Sequence, residues 1–96
     1  MKVKWSRRAV RRLAEIKDYI SENNPENAKR FIRSLKDSVE LQIESFPRSG
    51  RKIPELERDN YREIIFKNYR VMYIVEKEEV TILTVRNSRQ LFKGKF

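Results

Sequence analysis

The apolar residues of this chain change their spacing once, near Asn60, and that change constrains the fold more than any other feature. Before it, Ala9, Leu13, Ile16 and Ile20 recur at intervals of three or four, as do Ala28, Ile32, Leu35, Val39, Ile43 and Phe46, with Phe31 widening the second stripe. Such spacing lines up one face of a helix. After Asn60 the pattern becomes alternation. Tyr61 to Phe66, Tyr69 to Val75 and Val80 to Arg86 are rich in β-branched and aromatic residues and read as three strands. Two amphipathic helices followed by short strands predict an α+β domain, with the sheet packing one face on the helices.

Local signals set the boundaries. Lys2 to Trp5 alternates polar and apolar and predicts a short N-terminal strand. Ser6 suits a helix N-cap, so the first helix is expected from about Arg7 to Glu22. Asn23-Asn24-Pro25 stops it, with Asn24 as the next cap and Pro25 at the first position of a second helix. Pro47 ends that helix near Ser45. A short link predicts an antiparallel helical hairpin. Arg48 to Asn60 reads as loop, Lys67-Asn68 as a tight turn, and Glu76 to Glu79 as another. The expected architecture is an N-terminal strand and an antiparallel two-helix hairpin packed on an antiparallel β-sheet. One domain spans residues 1–96, with the hairpin over about 6–46, the β-meander over about 61–87 and a basic tail over 88–96.

Composition removes several chemistries. There is no cysteine and no histidine, which excludes disulfides, thiolate metal sites, Ser-His-Asp triads and His-ligated zinc. No phosphate-binding loop, dinucleotide fingerprint or paired acidic metal site is present, so no cofactor and no metal are expected. No apolar run approaches the roughly 20 residues that span a bilayer, and no apolar h-region follows the basic start. The cytoplasm is the default location, with no membrane partner. Twenty-three Lys and Arg against fourteen Asp and Glu give a formal charge of +9, which favours polyanions or acidic proteins.

A two-residue turn at Lys67-Asn68 predicts that Ile65 lies opposite Arg70 and Glu63 opposite Met72. One face then carries Ile64, Phe66, Val71, Tyr73, Val75, Val80 and Ile82 and belongs under the helices. The other carries Tyr61, Glu63, Ile65, Arg70, Met72, Ile74, Leu83 and Val85, and two helices cannot easily cover both. This outer face is either a partner surface, centred on Ile65, Met72 and Leu83, or it is covered by the tail through Leu91, Phe92 and Phe96. Arg70 sits inside an apolar strand and needs an acceptor. Glu63 or Glu55 could supply it, or the guanidinium could hold a phosphate in a bidentate way. Without histidine, ribonuclease chemistry would need Glu as base and cations around the phosphate. The candidates are Glu55, Arg51, Lys52, Arg70, Arg86 and Arg89, with Arg51, Lys52, Arg89 and Lys93 as nucleic-acid contacts.

Six stretches in order carry a family resemblance over nearly the whole chain. They are the Trp5 start; Ile16-Lys17-Asp18-Tyr19-Ile20 followed by Asn24-Pro25 and Ala28; Phe46-Pro47-Arg48-Ser49-Gly50-Arg51 with Pro54-Glu55-Leu56; Tyr61-Arg62-Glu63-Ile64; Tyr69-Arg70-Val71-Met72-Tyr73; and Val85-Arg86-Asn87-Ser88-Arg89. The sequence resembles the RelE/ParE superfamily of toxins of type II toxin–antitoxin systems, and the helical-hairpin and Phe-Pro-Arg-Ser-Gly-Arg stretches look closer to its ParE-like side. The resemblance implies a growth inhibitor with an acidic, cognate antitoxin that wraps it in a hetero-oligomer. It also implies one of two targets: DNA gyrase on the ParE-like side, or the ribosome and its mRNA on the RelE-like side. For a RelE-like, metal-independent endoribonuclease, Arg70 matches the strand arginine used on the phosphate. Glu55 resembles the base of one branch, and Arg86 or Arg89 a second catalytic arginine. Ribonuclease members usually place a Tyr or His near the C-terminus, where this sequence has Ser88, Leu91 and Phe92. That departure favours gyrase over cleavage. A non-toxic binding module is the third reading.

Overall fold

The local signals hold at the level of single elements. The computed structural model describes every residue except Leu91. Strand β1 (Lys2–Trp5) leads into helices α1 (Arg7–Ser21) and α2 (Pro25–Ser45), followed by strands β2 (Arg51–Lys52), β3 (Tyr61–Phe66), β4 (Tyr69–Val75) and β5 (Glu79–Asn87). Ser6 has extended backbone and its hydroxyl accepts the Ala9 N–H; Asn24 does the same for Asn27, with Pro25 opening α2. Each cap satisfies an amide that the helix itself leaves without a partner.

Among the described residues the sheet has five strands in the order β1-β5-β4-β3-β2. It is mixed rather than wholly antiparallel. β1 runs parallel to β5, with Val3 opposite Val80 and Trp5 opposite Ile82. A tight turn forces its two strands to be antiparallel, but β1 and β5 are joined through nearly the whole chain, so no turn dictates their sense. β2 is a second departure, lying inside the stretch expected to be loop. Its two residues pair Arg51 with Glu63 and Lys52 with Arg62. Two charged residues carry no readable alternation, so the pairing comes from the partner strand.

The β3–β4 hairpin has the expected register, with Ile65 opposite Arg70 and Glu63 opposite Met72. Between β4 and β5 the register slips: Met72 faces Thr84 while Tyr73 faces Ile82. Leu83 is therefore the extra residue of a bulge, and every side chain beyond it changes face. Val85, expected on the outer face, is instead fully buried under the helices, and Thr84 takes the place beside Met72.

The inner core joins Ala9, Leu13 and Ile16 of α1 and Leu35, Val39 and Ile43 of α2 to Ile64, Val71, Tyr73, Val80, Ile82 and Val85 of the sheet. Fully burying each such aliphatic side chain stabilises by about 1.5–3 kcal/mol. A second, smaller core lies on the opposite face, where Ile53, Met72 and Phe92 pack with Leu56, Tyr61 and Phe96. The tail thus covers part of the outer face. Leu91, expected to share that task, lies outside the described residues.

Candidate functional site

The outer face gathers the titratable residues. Register places them: Arg51 on β2 lies opposite Glu63 on β3, and Arg70 on β4 is one step along and opposite Arg86 on β5. Two arginines directly opposed repel unless acids lie close by. Two do. The Arg70 Nε–H donates to Glu63 Oε1 at 2.7 Å, and its Nη2 and Nη1 groups donate to Glu55 Oε1 and Oε2 at 2.8 and 3.1 Å. Arg51 closes the cluster by donating its Nε–H to the other Glu63 oxygen. The result is two guanidiniums against two carboxylates, with the Arg70 and Glu63 side chains 8% and 0% exposed.

Phe92 lies over this cluster. Its ring centroid is 5.9 Å from the Arg70 guanidinium carbon and 5.6 Å from that of Arg86, cation–π distances on both sides. Phe96 stacks on Tyr61 with centroids 5.8 Å apart and extends the cover.

The electrostatics follow from these bonds. The hydrogen bond from Arg70 holds the Glu55 carboxyl below the usual glutamate value, against a smaller opposing effect of burial. The same bond raises Arg70, which stays cationic at any relevant pH. A carboxylate held below its ordinary pKa is a poorer general base near neutrality than an unperturbed one. Three of the guanidinium's N–H groups are already donated to carboxylates. With its side chain 8% exposed, Arg70 leaves little of its guanidinium open to a phosphate.

Arg70, Glu55 and Arg86, the expected catalytic set, are therefore brought together. Arg89 is not among them; it is exposed in the turn after β5, its N–H bonded to the Asn87 side chain. Of the expected nucleic-acid contacts, Arg51 is paired with Glu63 and Lys52 lies 3.4 Å from Asp59. Asp59 also holds Arg48 and Arg62, and its carboxyl is lowered chiefly by its hydrogen bond with Lys52. Lys93 is exposed beside a cleft also lined by Glu55, Arg58 and Tyr61.

The expected partner surface needs correction at one residue. Met72 is fully buried beneath Phe92 and beside Ile53, so it offers nothing to a partner while the tail is seated. Leu83 is half-buried in the bulge, and Ile65 remains 49% exposed. The other large exposed apolar residues are Met1, Val10, Tyr19, Leu41 and Phe46, mostly on the helical layer.

Tyr73 is a functional residue of the fold that spacing did not reveal. Its hydroxyl donates to the Pro47 carbonyl at 2.9 Å and accepts the Gly50 N–H at 3.1 Å. A Cβ on Gly50 would lie 2.4 Å from that hydroxyl and 2.7 Å from the Glu63 carbonyl, so only glycine fits. The Phe46–Arg51 stretch thus ties the end of α2 to the sheet and delivers Arg51 to Glu63.

The same layout recurs in a solved structure described as the chromosomal ParDE toxin–antitoxin system from P. aeruginosa. It superposes with a TM-score of 0.75 at 23% identity, over 91% of this chain and 95% of that one. A model of the family described as ParE toxin of type II toxin–antitoxin system, parDE, matches residues 3–92. The chain belongs to the ParE toxin family. Y4kP of Sinorhizobium fredii, which carries a toxin description, is 33% identical over 91 residues, covering 93% of this chain and 90% of its own. The match to the ParE family takes in β1, the helical hairpin, the ion-pair cluster and Phe92. Among the described residues, no helix is long and apolar enough to cross a membrane.

Proposed function

We propose that this ParE-family chain is the growth-inhibiting toxin of a type II pair, that it acts on DNA gyrase, and that a cognate antitoxin neutralises it in a hetero-oligomer. One observation carries the choice of target. Arg70, the arginine a ribonuclease would aim at the scissile phosphate, is held by Glu63 and Glu55 under Phe92. Its charge is neutralised in place, and the nearest candidate base is a carboxylate with a lowered pKa. The cluster serves to fasten the loop carrying Glu55 and the tail carrying Phe92 onto the sheet. What the toxin presents outward is a cationic surface with exposed apolar residues on its helices, which suits binding rather than bond cleavage.

The juxtaposition of Arg70, Glu55 and Arg86 keeps a ribosome-dependent ribonuclease as the second reading, since those three residues do meet. The chain without toxicity, kept as a binding module, is the third. The experiment is a supercoiling assay with purified gyrase, relaxed plasmid and increasing toxin. Loss of supercoiling at a stoichiometric excess of toxin, reversed by the antitoxin, is the expected result. Full supercoiling together with codon-spaced cuts in translated mRNA would move the ribonuclease reading to the front. Neither activity would leave the binding module.

A further inference from the structure

The surplus of positive charge is confined to the two ends of the sequence. Residues 1–12 hold six Lys and Arg and no acidic residue; residues 80–96 hold four and again no acid. Between them, 13 basic residues face 14 acidic ones, so the whole surplus lies in the two terminal segments.

The fold brings these segments together. β1 lies parallel to β5, Ser6 follows β5 by donating its N–H to the Ile82 carbonyl and its hydroxyl to that of Leu83, and Arg12 Nε–H donates to Val85 O at 2.8 Å. The first turns of α1 therefore run beside the second half of β5. A cleft lined by Arg12, Glu15, Tyr19, Asn87 and Gln90 continues that edge into the turn that carries Arg89.

Pairing separates Arg7, Arg8 and Arg11 from the basic residues around the ion-pair cluster, though not from Lys29, Arg30 and Arg33 of α2, and Arg12 beside them is paired with Glu15. Arg48, Arg51, Lys52, Arg62 and Arg70 each have an acidic partner. Among the described residues, Arg7, Arg8 and Arg11 have none, and all three are exposed. They are not placed for stability either. Positive charge in the first turn of a helix, where Arg7 and Arg8 lie, opposes its dipole. Ser6 caps the Ala9 N–H at the start of α1, and the three guanidiniums add full positive charge to that end.

We propose that this edge, centred on Arg7, Arg8 and Arg11 with Arg89 beside it, is a phosphate-binding surface for duplex DNA. The guanidinium fork matches phosphate oxygens. Arg7 and Arg11 are about 6 Å apart along the helix axis, a rise of about 1.5 Å per residue. Positions 7–12 hold no aromatic residue to stack on unpaired bases, as single-strand binders use, although exposed Tyr19 lines the adjoining cleft. The surface would let the toxin engage the DNA on which its target works; that use rests on the gyrase reading, but the binding does not require gyrase.

The test is fluorescence anisotropy of a labelled duplex with the full chain across a salt series. The wild type is expected to bind more weakly as salt rises. The variant Arg7→Gln/Arg8→Gln/Arg11→Gln is expected to lose at least about tenfold in affinity at low salt. Its salt slope should flatten by about two to three, near 0.9 for each phosphate that is no longer neutralised. The charge-matched control Lys29→Gln/Arg30→Gln/Arg33→Gln on α2 should change affinity less than about threefold. Circular dichroism should show both variants folded, the first with an unchanged or higher Tm. Equal weakening by the control, or no salt-dependent binding by the wild type, overturns the proposal. So does a first variant that keeps its DNA affinity but loses binding to polyglutamate, which would assign the surface to an acidic protein. Gyrase inhibition by a wild type that does not bind DNA overturns this proposal and leaves the gyrase reading intact. Arginine-dependent DNA binding without gyrase inhibition does the reverse.

Discussion

Replacing Arg70 with Ala is expected to be a stability change before it is anything else. The substitution leaves Glu63, whose side chain is fully buried, with only Arg51, itself 59% exposed, and it strips Glu55 of both its hydrogen bonds from Arg70. It also removes the guanidinium against which Phe92 packs. Removing one partner of a buried ion pair costs about 3–5 kcal/mol. Domains of this size have about 5–15 kcal/mol in total. At about 4–8 °C per kcal/mol for a domain near 100 residues, Tm should fall by at least about 12 °C. Thermal and urea unfolding followed by circular dichroism measure this directly. Arg70→Met combined with Glu63→Met should recover most of the loss, because an apolar replacement leaves no carboxylate buried beneath Phe92. A fall in Tm under about 5 °C for Arg70→Ala, equivalent to about 1 kcal/mol or less, would refute the view that this cluster holds the loop and tail in place.

Three further outcomes follow from the same geometry. Tyr73→Phe removes the hydroxyl that joins Gly50 to Pro47 and should cost about 1–3 kcal/mol in urea unfolding, since the Gly50 N–H is left buried without a partner. Phe92→Ala should cost about 3 kcal/mol and raise binding of an apolar dye, as Ile53 and Met72 become uncovered. Acid should destabilise the protein in a window set by Glu55. Its folded pKa is depressed, so its contribution is complete above the unfolded value of about 4.3 and is lost as pH falls through the lower folded value. Stability measured from pH 6 to about pH 2 should therefore decline more steeply in the wild type than in Glu55→Gln.

Much of the fold was legible because helices and hairpins write local patterns. The stripes of α1 and α2, the caps Ser6 and Asn24, and the Lys67-Asn68 turn all act over a few residues, and each element formed where its pattern lay. The register of Ile65 on Arg70 followed from turn length alone. What was not legible depends on distant residues. The parallel sense of β1 is set by docking against β5, and the bulge at Leu83 has no sequence mark, so Val85 went to the wrong face. At the site, alternation already placed Glu63 and Arg70 on one face and suggested Glu63 or Glu55 as partners for Arg70. It did not say that both carboxylates bind it at once. Nor could it choose between a partner and the tail as cover for Met72, because the placement of Phe92 is a tertiary fact.

The central claim is that the Arg70–Glu55 pair is structural, and that growth arrest does not come from RNA cleavage. The most direct measurement is arrest by Glu55→Gln expressed beside the wild type, at matched levels of folded protein, with primer extension of translated mRNA from the same cells. A glutamine still accepts a hydrogen bond from Arg70 but cannot take a proton as a base. Retained arrest by the variant, with no cuts from either protein, is the expected result. Arrest lost in a folded variant, together with codon-spaced cuts made by the wild type, would contradict it.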